Sequence, residues 1–275
     1  MSTRRHFSDI NSFCYTLASR KEILRRHLQD CFSKKRFAQN IESERLPVVV
    51  SSYSCNLIKR GKGMDLTLQE NKAVNIRLAC SKINGMVIHP GEVFSFWRTV
   101  GKPSRKRGYK DGRVLEKHKL KPGPGGGLCN LGNTINRLVL HSPMDIVEFH
   151  KHSDALAPDE GKRIPLSAGT SVYYNYVDYR FQNNTDGDIQ LLLWCDEEKL
   201  YGELRSKTEF PWRYELIEED HHFEKEDDIY YRVSKIYRNV ISKATGNVEN
   251  KELIWDNHSQ VMYDENLIPK DQIRI

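Results

Sequence analysis

The stretch from Lys121 to Thr134 constrains this chain most. Gly123, Gly125, Gly126 and Gly127 are interrupted by Pro122 and Pro124 and run directly into Leu128 and Cys129. Such a run excludes helix and ordinary strand, and it suits backbone that takes positive φ or approaches something closely. Immediately afterwards Leu128, Leu131, Ile135, Leu138 and Val139 recur at helical spacing. Cys129 therefore falls in the first turn of a helix, where unpaired N–H groups and the macrodipole favour a thiolate. A glycine-cleared approach, a cysteine and a helix N-terminus together suit a nucleophilic thiol. The alternative is a small hydrophobic cysteine after a tight connection.

Around this centre the chain reads as α+β: N-terminal helices followed by a mostly antiparallel β-sheet, with the Gly-rich loop and its helix between them. Residues 8–33 form the first helix, with Phe13, Leu17, Leu24, Leu28 and Phe32 on one stripe and arginines around it. A second helix starts near Asn71 as N-cap, turns Ala73, Ile76, Cys80 and Ile83 to one side, and ends at Gly85. His89 to Glu92 is a turn into a strand over Val93 to Trp97. The basic segment 101–112 is a loop, and Val114, Leu115 and Leu120 mark a short strand. Met144 to Phe149 is a strand that delivers His150, His152 and Asp154 to one face. Further strands are expected over 171–182, 189–195, 199–205, 213–217, 230–240 and 252–255. Gly61 to Gly63 is a turn, and a long loop runs through Pro158, Gly161, Pro165 and Gly169. Three segments follow: a basic helical part at 1–44, a central domain at 45–205 and a β-rich extension at 206–275.

The residues of the central segment carry a resemblance. Asn84-Gly85, the block Pro90 to Trp97, Gly125 to Cys129, and Asp178 followed by Asn183 are similar to the pattern of the VanW family. That family is named for an accessory protein of B-type vancomycin-resistance clusters. His152 matches a histidine of the same pattern. The resemblance implies a vancomycin-resistance or cell-wall context without fixing a chemistry. It also implies Asp178 as a site acid, and it highlights two departures: Gly169, where many relatives carry an acid, and Asn130, where glutamine is common.

A net charge of +6 with 10% aromatic residues describes a globular chain and is not by itself a nucleic-acid signature, so no nucleic-acid partner is expected. The positive charge crowds the first forty residues, from Arg4 and Arg5 through Arg25 and Arg26 to Lys34, Lys35 and Arg36. A basic helix there can lie on an anionic membrane surface, although a solvated face is the commoner use. No segment has the apolar length of a membrane span or of a secretory h-region. Six cysteines at irregular spacing, none in a Cys-x-x-Cys pair, read as reduced thiols in a cytoplasmic protein without structural zinc. His150-x-His152-x-Asp154 has metal-motif spacing, but neither metal nor cofactor is expected. His221 and His222 read as an exposed loop, and the four tryptophans as core.

Two function classes follow. In the first, Cys129, His152 and Asp178 act as nucleophile, base and orienting acid of a thiol-dependent hydrolase or acyltransferase. In the second, the glycine run is the platform of a non-catalytic binding module. In either, Gly125, Gly126, Gly127, Asn130, Glu92 and Trp97 are the candidate ligand contacts, and a cell-wall peptide or precursor is the expected partner. The glycine run, Cys129, His152, Asp178 and Phe96 or Trp97 should then line one pocket, and residues 1–36 should be dispensable for the fold of 45–205.

Overall fold

The computed structural model describes residues 10–58, 65–116, 119–152, 154–155, 158, 164–166 and 169–274. The expected turn at Gly61 to Gly63, Gly161, and Arg4 and Arg5 lie outside these residues.

Helix α1 (Ser12–Phe32) begins where the Asn11 side chain accepts from Cys14 N at 2.8 Å. The short β1 (Asn40–Ile41) and β2 (Val48–Asn56) follow. Helix α2 (Leu66–Ile83) starts earlier than the expected Asn71, because Asp65 caps it by accepting from Leu68 N. Asn71 lies inside the helix and donates instead to Asp111 O. β3 (Met86–Ile88) and β4 (Val93–Ser95) flank the Pro90-Gly91 turn. The strand expected through Trp97 stops at Ser95, whose side chain accepts from Arg98 N and caps the one-turn helix α3 (Phe96–Val100).

β5 (Asp111–Glu116) and β6 (Lys119–Pro124) form an antiparallel hairpin. Its register pairs Gly112 with Gly123 and Asp111 with Pro124. The first half of the glycine-proline run is therefore strand, contrary to expectation. A two-stranded ribbon tolerates this because proline needs no partner on its open edge. Helix α4 (Leu128–Leu140) then leaves from Gly127 at φ +94°.

β7 (Asp145–Glu148), β8 (Asp154–Ala155), β9 (Arg180–Gln182), β10 (Ile189–Cys195) and β11 (Lys199–Ser206) complete the middle of the chain. Only the end of the segment 171–182 is strand. Tyr173 and Val177 exchange backbone hydrogen bonds across a tight turn, which breaks the extended run. β12 (Trp212–Glu226), β13 (Ile229–Ser242) and β14 (Val248–Val261) form a long meander, closed by β15 (Ile273–Arg274). The strand order is β1-β3-β10-β11-β2 in the central sheet, β4-β9-β7 in a small one and β15-β12-β13-β14-β8 in the last.

β12 runs far beyond the expected residue 217 and takes in His221 and His222. His222 is buried, its ring bonded to Asp220 O and Glu224. The consecutive acids Glu218 to Asp220 read as a polar loop, but they belong to a strand whose register shifts between Glu219 and His222, where Asp220 takes φ +55°. Trp212 is 40% exposed rather than core, its indole N–H donating to Glu249.

The core lies between the central sheet and α2 and α4. Leu131, Ile135, Leu138 and Val139 of α4 are fully buried. They settle on the sheet because Gly202 of β11 has no side chain: a Cβ there would stand 2.7 Å from Leu138 Cδ1. α1 is held differently, through its polar side. Asp30 accepts from both terminal nitrogens of Arg180 at 2.7 and 2.8 Å, and Arg26 donates to both oxygens of Glu148 at 2.7 Å.

Candidate functional site

The glycine run owes its composition first to packing. A Cβ on Gly126 would sit 2.1 Å from the Gly112 carbonyl carbon, and one on Gly112 would sit 2.4 Å from Gly126 O. Two backbones thus touch where hairpin meets loop, and Asn75 fixes the contact by donating to Gly126 O at 2.9 Å. Gly127 takes positive φ, and a side chain there would strike Lys72 Cγ at 2.1 Å.

Beyond this contact lies a cleft of about 970 Å³, which the glycine run borders from Gly123 to Gly127. Cys129, His152 and Trp97 line it as well. Its far walls come from α1, through Tyr15 and Arg20, and from the last sheet, through Arg232, Trp255 and Asn257. These contributors were invisible in the sequence, since each lies in a segment that reads as separate from the centre. Among the described residues, five cationic side chains (Arg20, Lys102, Arg113, Lys121 and Arg232) line the cleft, against one carboxylate, that of Asp154.

Cys129 occupies the first turn of α4, as expected, and is half-buried. Its Sγ donates to Val172 O at 3.6 Å. Burial pushes the thiol above its ordinary value, and backbone groups of Val172 and of Cys129 itself offset this only in part. The expected thiolate-stabilising effect of the helix end is thus outweighed by desolvation. His152 is fixed by its backbone N, which donates to Gly169 O at 2.8 Å. Burial pushes its imidazole below the ordinary value, partly countered by Asp154 and by Thr170. Among the described residues, no hydrogen bond joins the Cys129 sulfur to the His152 ring. His150 turns away and bonds Glu148 at 2.9 Å, so the His-x-His-x-Asp spacing does not gather three groups at one point.

Asp178 lies outside the cleft lining. It is fully buried and accepts from Ser95 Oγ at 2.5 Å, Trp97 N at 3.0 Å, Tyr179 N at 2.9 Å and Arg180 Nε at 2.7 Å. Burial raises its carboxyl against these donors. The four bonds hold the Pro90 to Trp97 block against β9 and leave its oxygens committed to structure. Phe96 is likewise buried away from the cleft, whereas Trp97 reaches it, with its Nε1 donating to Val177 O and its ring edge-on to Tyr174 at 5.6 Å. Glu92 belongs to its turn, accepting from His89 N, and Asn130 accepts from Cys55 Sγ. Neither lines the cleft. Gly169 does, at φ +123° with the Trp255 ring 2.8 Å from the place of a Cβ. A side chain there would have to displace that ring. The potential metal-ligand cluster found among the described residues is elsewhere, at Glu224, Glu226 and His258 on the last sheet.

The fold and site define an α+β protein with a thiol-bearing, cationic cleft framed by glycine backbone. Residues 71–205 match the family model described as VanW like protein. The Vancomycin B-type resistance protein VanW of Enterococcus faecalis (strain ATCC 700802 / V583) is 28% identical over 227 residues, 82% of each chain. The Uncharacterized protein YoaR of Bacillus subtilis (strain 168) is 31% identical over 120 residues, 44% of this chain and 38% of that one. No solved structure matches the chain. Residues 71–205 belong to the VanW family.

Proposed function

We propose that this protein is a binding accessory protein in glycopeptide resistance or cell-wall metabolism, whose cleft holds an anionic, peptide-like ligand. The observation that carries this reading is the lining, which among the described residues sets five cations against one carboxylate, with the aromatic walls of Trp97, Tyr173, Tyr174 and Trp255. Guanidinium groups suit carboxylate or phosphate, and aromatic faces suit the apolar parts of a peptide. The resistance context rests on the name of the Enterococcus faecalis relative.

A second reading, a thiol-dependent amide or acyl hydrolase or transferase, draws on Cys129 and His152 lining one cleft. Against it stand a thiol raised by burial, no bond between the two groups and an acid engaged elsewhere.

Fluorescence anisotropy separates the readings. The probe is a dye-labelled peptide ending in a free carboxylate, compared with its C-terminal amide. The carboxylate form is expected to bind about tenfold tighter, Arg113→Gln to reduce that preference, and Cys129→Ser to bind as the unaltered protein does. Equal affinity for both peptides would overturn the anionic-ligand reading. Peptide turnover that disappears in Cys129→Ser would establish the enzyme instead.

A further inference from the structure

Helix α1 is inverted relative to an ordinary surface helix. The side turned to the body of the protein is polar: Arg26 pairs with Glu148, and Asp30 is buried against Arg180. The side turned to solvent carries Ile10, Phe13, Leu17, Leu24, Leu28 and Phe32, each between 49% and 84% exposed. At about 100° per residue the five helical positions, from Phe13 to Phe32, fall within a sector roughly 100° wide on a helix about 31 Å long, and Ile10 stands just before it. A continuous apolar stripe of this kind on an exposed surface marks an interaction site.

The charges around the stripe identify what it meets. Lys21 and Arg25 border it and are exposed, and Lys34 and Lys35 continue the positive charge beyond the helix. The helix has two acids. Glu22 is half-exposed and already paired with Arg25 at 3.8 Å, and Asp30 is buried. A second copy packed stripe to stripe would bring like charges together, and neither acid of the helix is left unengaged to pair them. An anionic lipid surface complements both features at once, taking the apolar residues into the headgroup boundary and the cations against the phosphates.

We propose that α1 docks in the plane of an anionic membrane surface through the Ile10 to Phe32 stripe. The inner side of the same helix lines the cleft through Tyr15, Ser19 and Ile23, so docking sets the cleft beside the lipid surface. The inference does not depend on which ligand the cleft takes.

Vesicle flotation of the full chain tests it, using phosphatidylcholine vesicles with and without about a third phosphatidylglycerol. The chain is expected to float with the anionic vesicles only and to be released by added salt. The pairs Leu17→Ser with Leu24→Ser, and Lys21→Glu with Arg25→Glu, each change exposed side chains. Each should lower the bound fraction about tenfold with the melting temperature unchanged. Failure to float with anionic vesicles, or equal flotation of both variants, would overturn the proposal. So would a dimer in light scattering that the leucine pair abolishes without any vesicle binding, since that would assign the stripe to a second copy.

Discussion

Asp30→Ala is expected to destabilise the protein by about 3–5 kcal/mol, the cost of breaking a buried ion pair from one side. Arg180 is 2% exposed and has three nitrogens engaged, two on Asp30 and one on Asp178. Burial works against its charge, but Asp30 and Asp178 more than compensate and hold the guanidinium above its ordinary value. Removing Asp30 leaves a buried cation with two donors unmatched, a cost that solvent cannot relieve. Chemical denaturation reads this as a lower midpoint at unchanged m. Glu22→Ala, on the exposed side of the same helix, should stay within about 0.5 kcal/mol. A loss below about 1 kcal/mol for Asp30→Ala would show that the network has a weaker hold on α1 than its geometry implies. The pair also argues against the expectation that residues 1–36 are dispensable, because their removal takes Asp30 away from Arg180.

Gly126→Ala should cost about 3 kcal/mol, by forcing apart two backbones that cannot yield as side chains do. The added methyl would lie 2.1 Å from Gly112 C and 2.3 Å from Gly112 O. Relief requires the β5–β6 hairpin to move off the loop, which would also break the Asn75 bonds to Gly126 O and to Lys110 O. Gly187→Ala is the control, with nothing within 4 Å of the added methyl; it should be neutral or stabilise by up to about 1 kcal/mol. Thermal melts of the two variants side by side check the contrast. Equal melting temperatures would mean that the glycine run is not needed for packing.

The sequence was informative wherever periodicity and caps act locally. The α4 stripe, the buried side of α2 and the strands β10 and β11 follow from spacing alone, and the close backbone approach at the glycine run is legible in its composition. Legibility ended where a side chain chose between two local structures. Ser95 could continue a strand or cap a helix, and Asp178, bonding Trp97 N from far along the chain, helps favour the cap. The family resemblance marks Asp178 as a site acid, whereas an acid in an aromatic strand needs partners, and these are Ser95, Arg180 and two backbone amides. The cleft was only half visible. Its central residues share one segment, but Arg20 and Trp255 reach it through tertiary packing that no local pattern encodes. The exposed stripe of α1 was read correctly as a stripe, yet its direction depends on Asp30 and Arg26 finding partners more than a hundred residues away.

The most direct test of whether the cleft binds rather than activates is the pH dependence of Cys129 alkylation in the folded protein. Iodoacetamide labelling, followed on the Cys129 peptide by mass spectrometry, reports the thiolate fraction at that sulfur. With burial holding the thiol up and His152 unbonded to it, the labelling rate should be slow at neutral pH. It should climb only above the ordinary thiol value of about 8.5. A rate that is already on its plateau at neutral pH or below would reveal an activated thiolate and contradict the binding role.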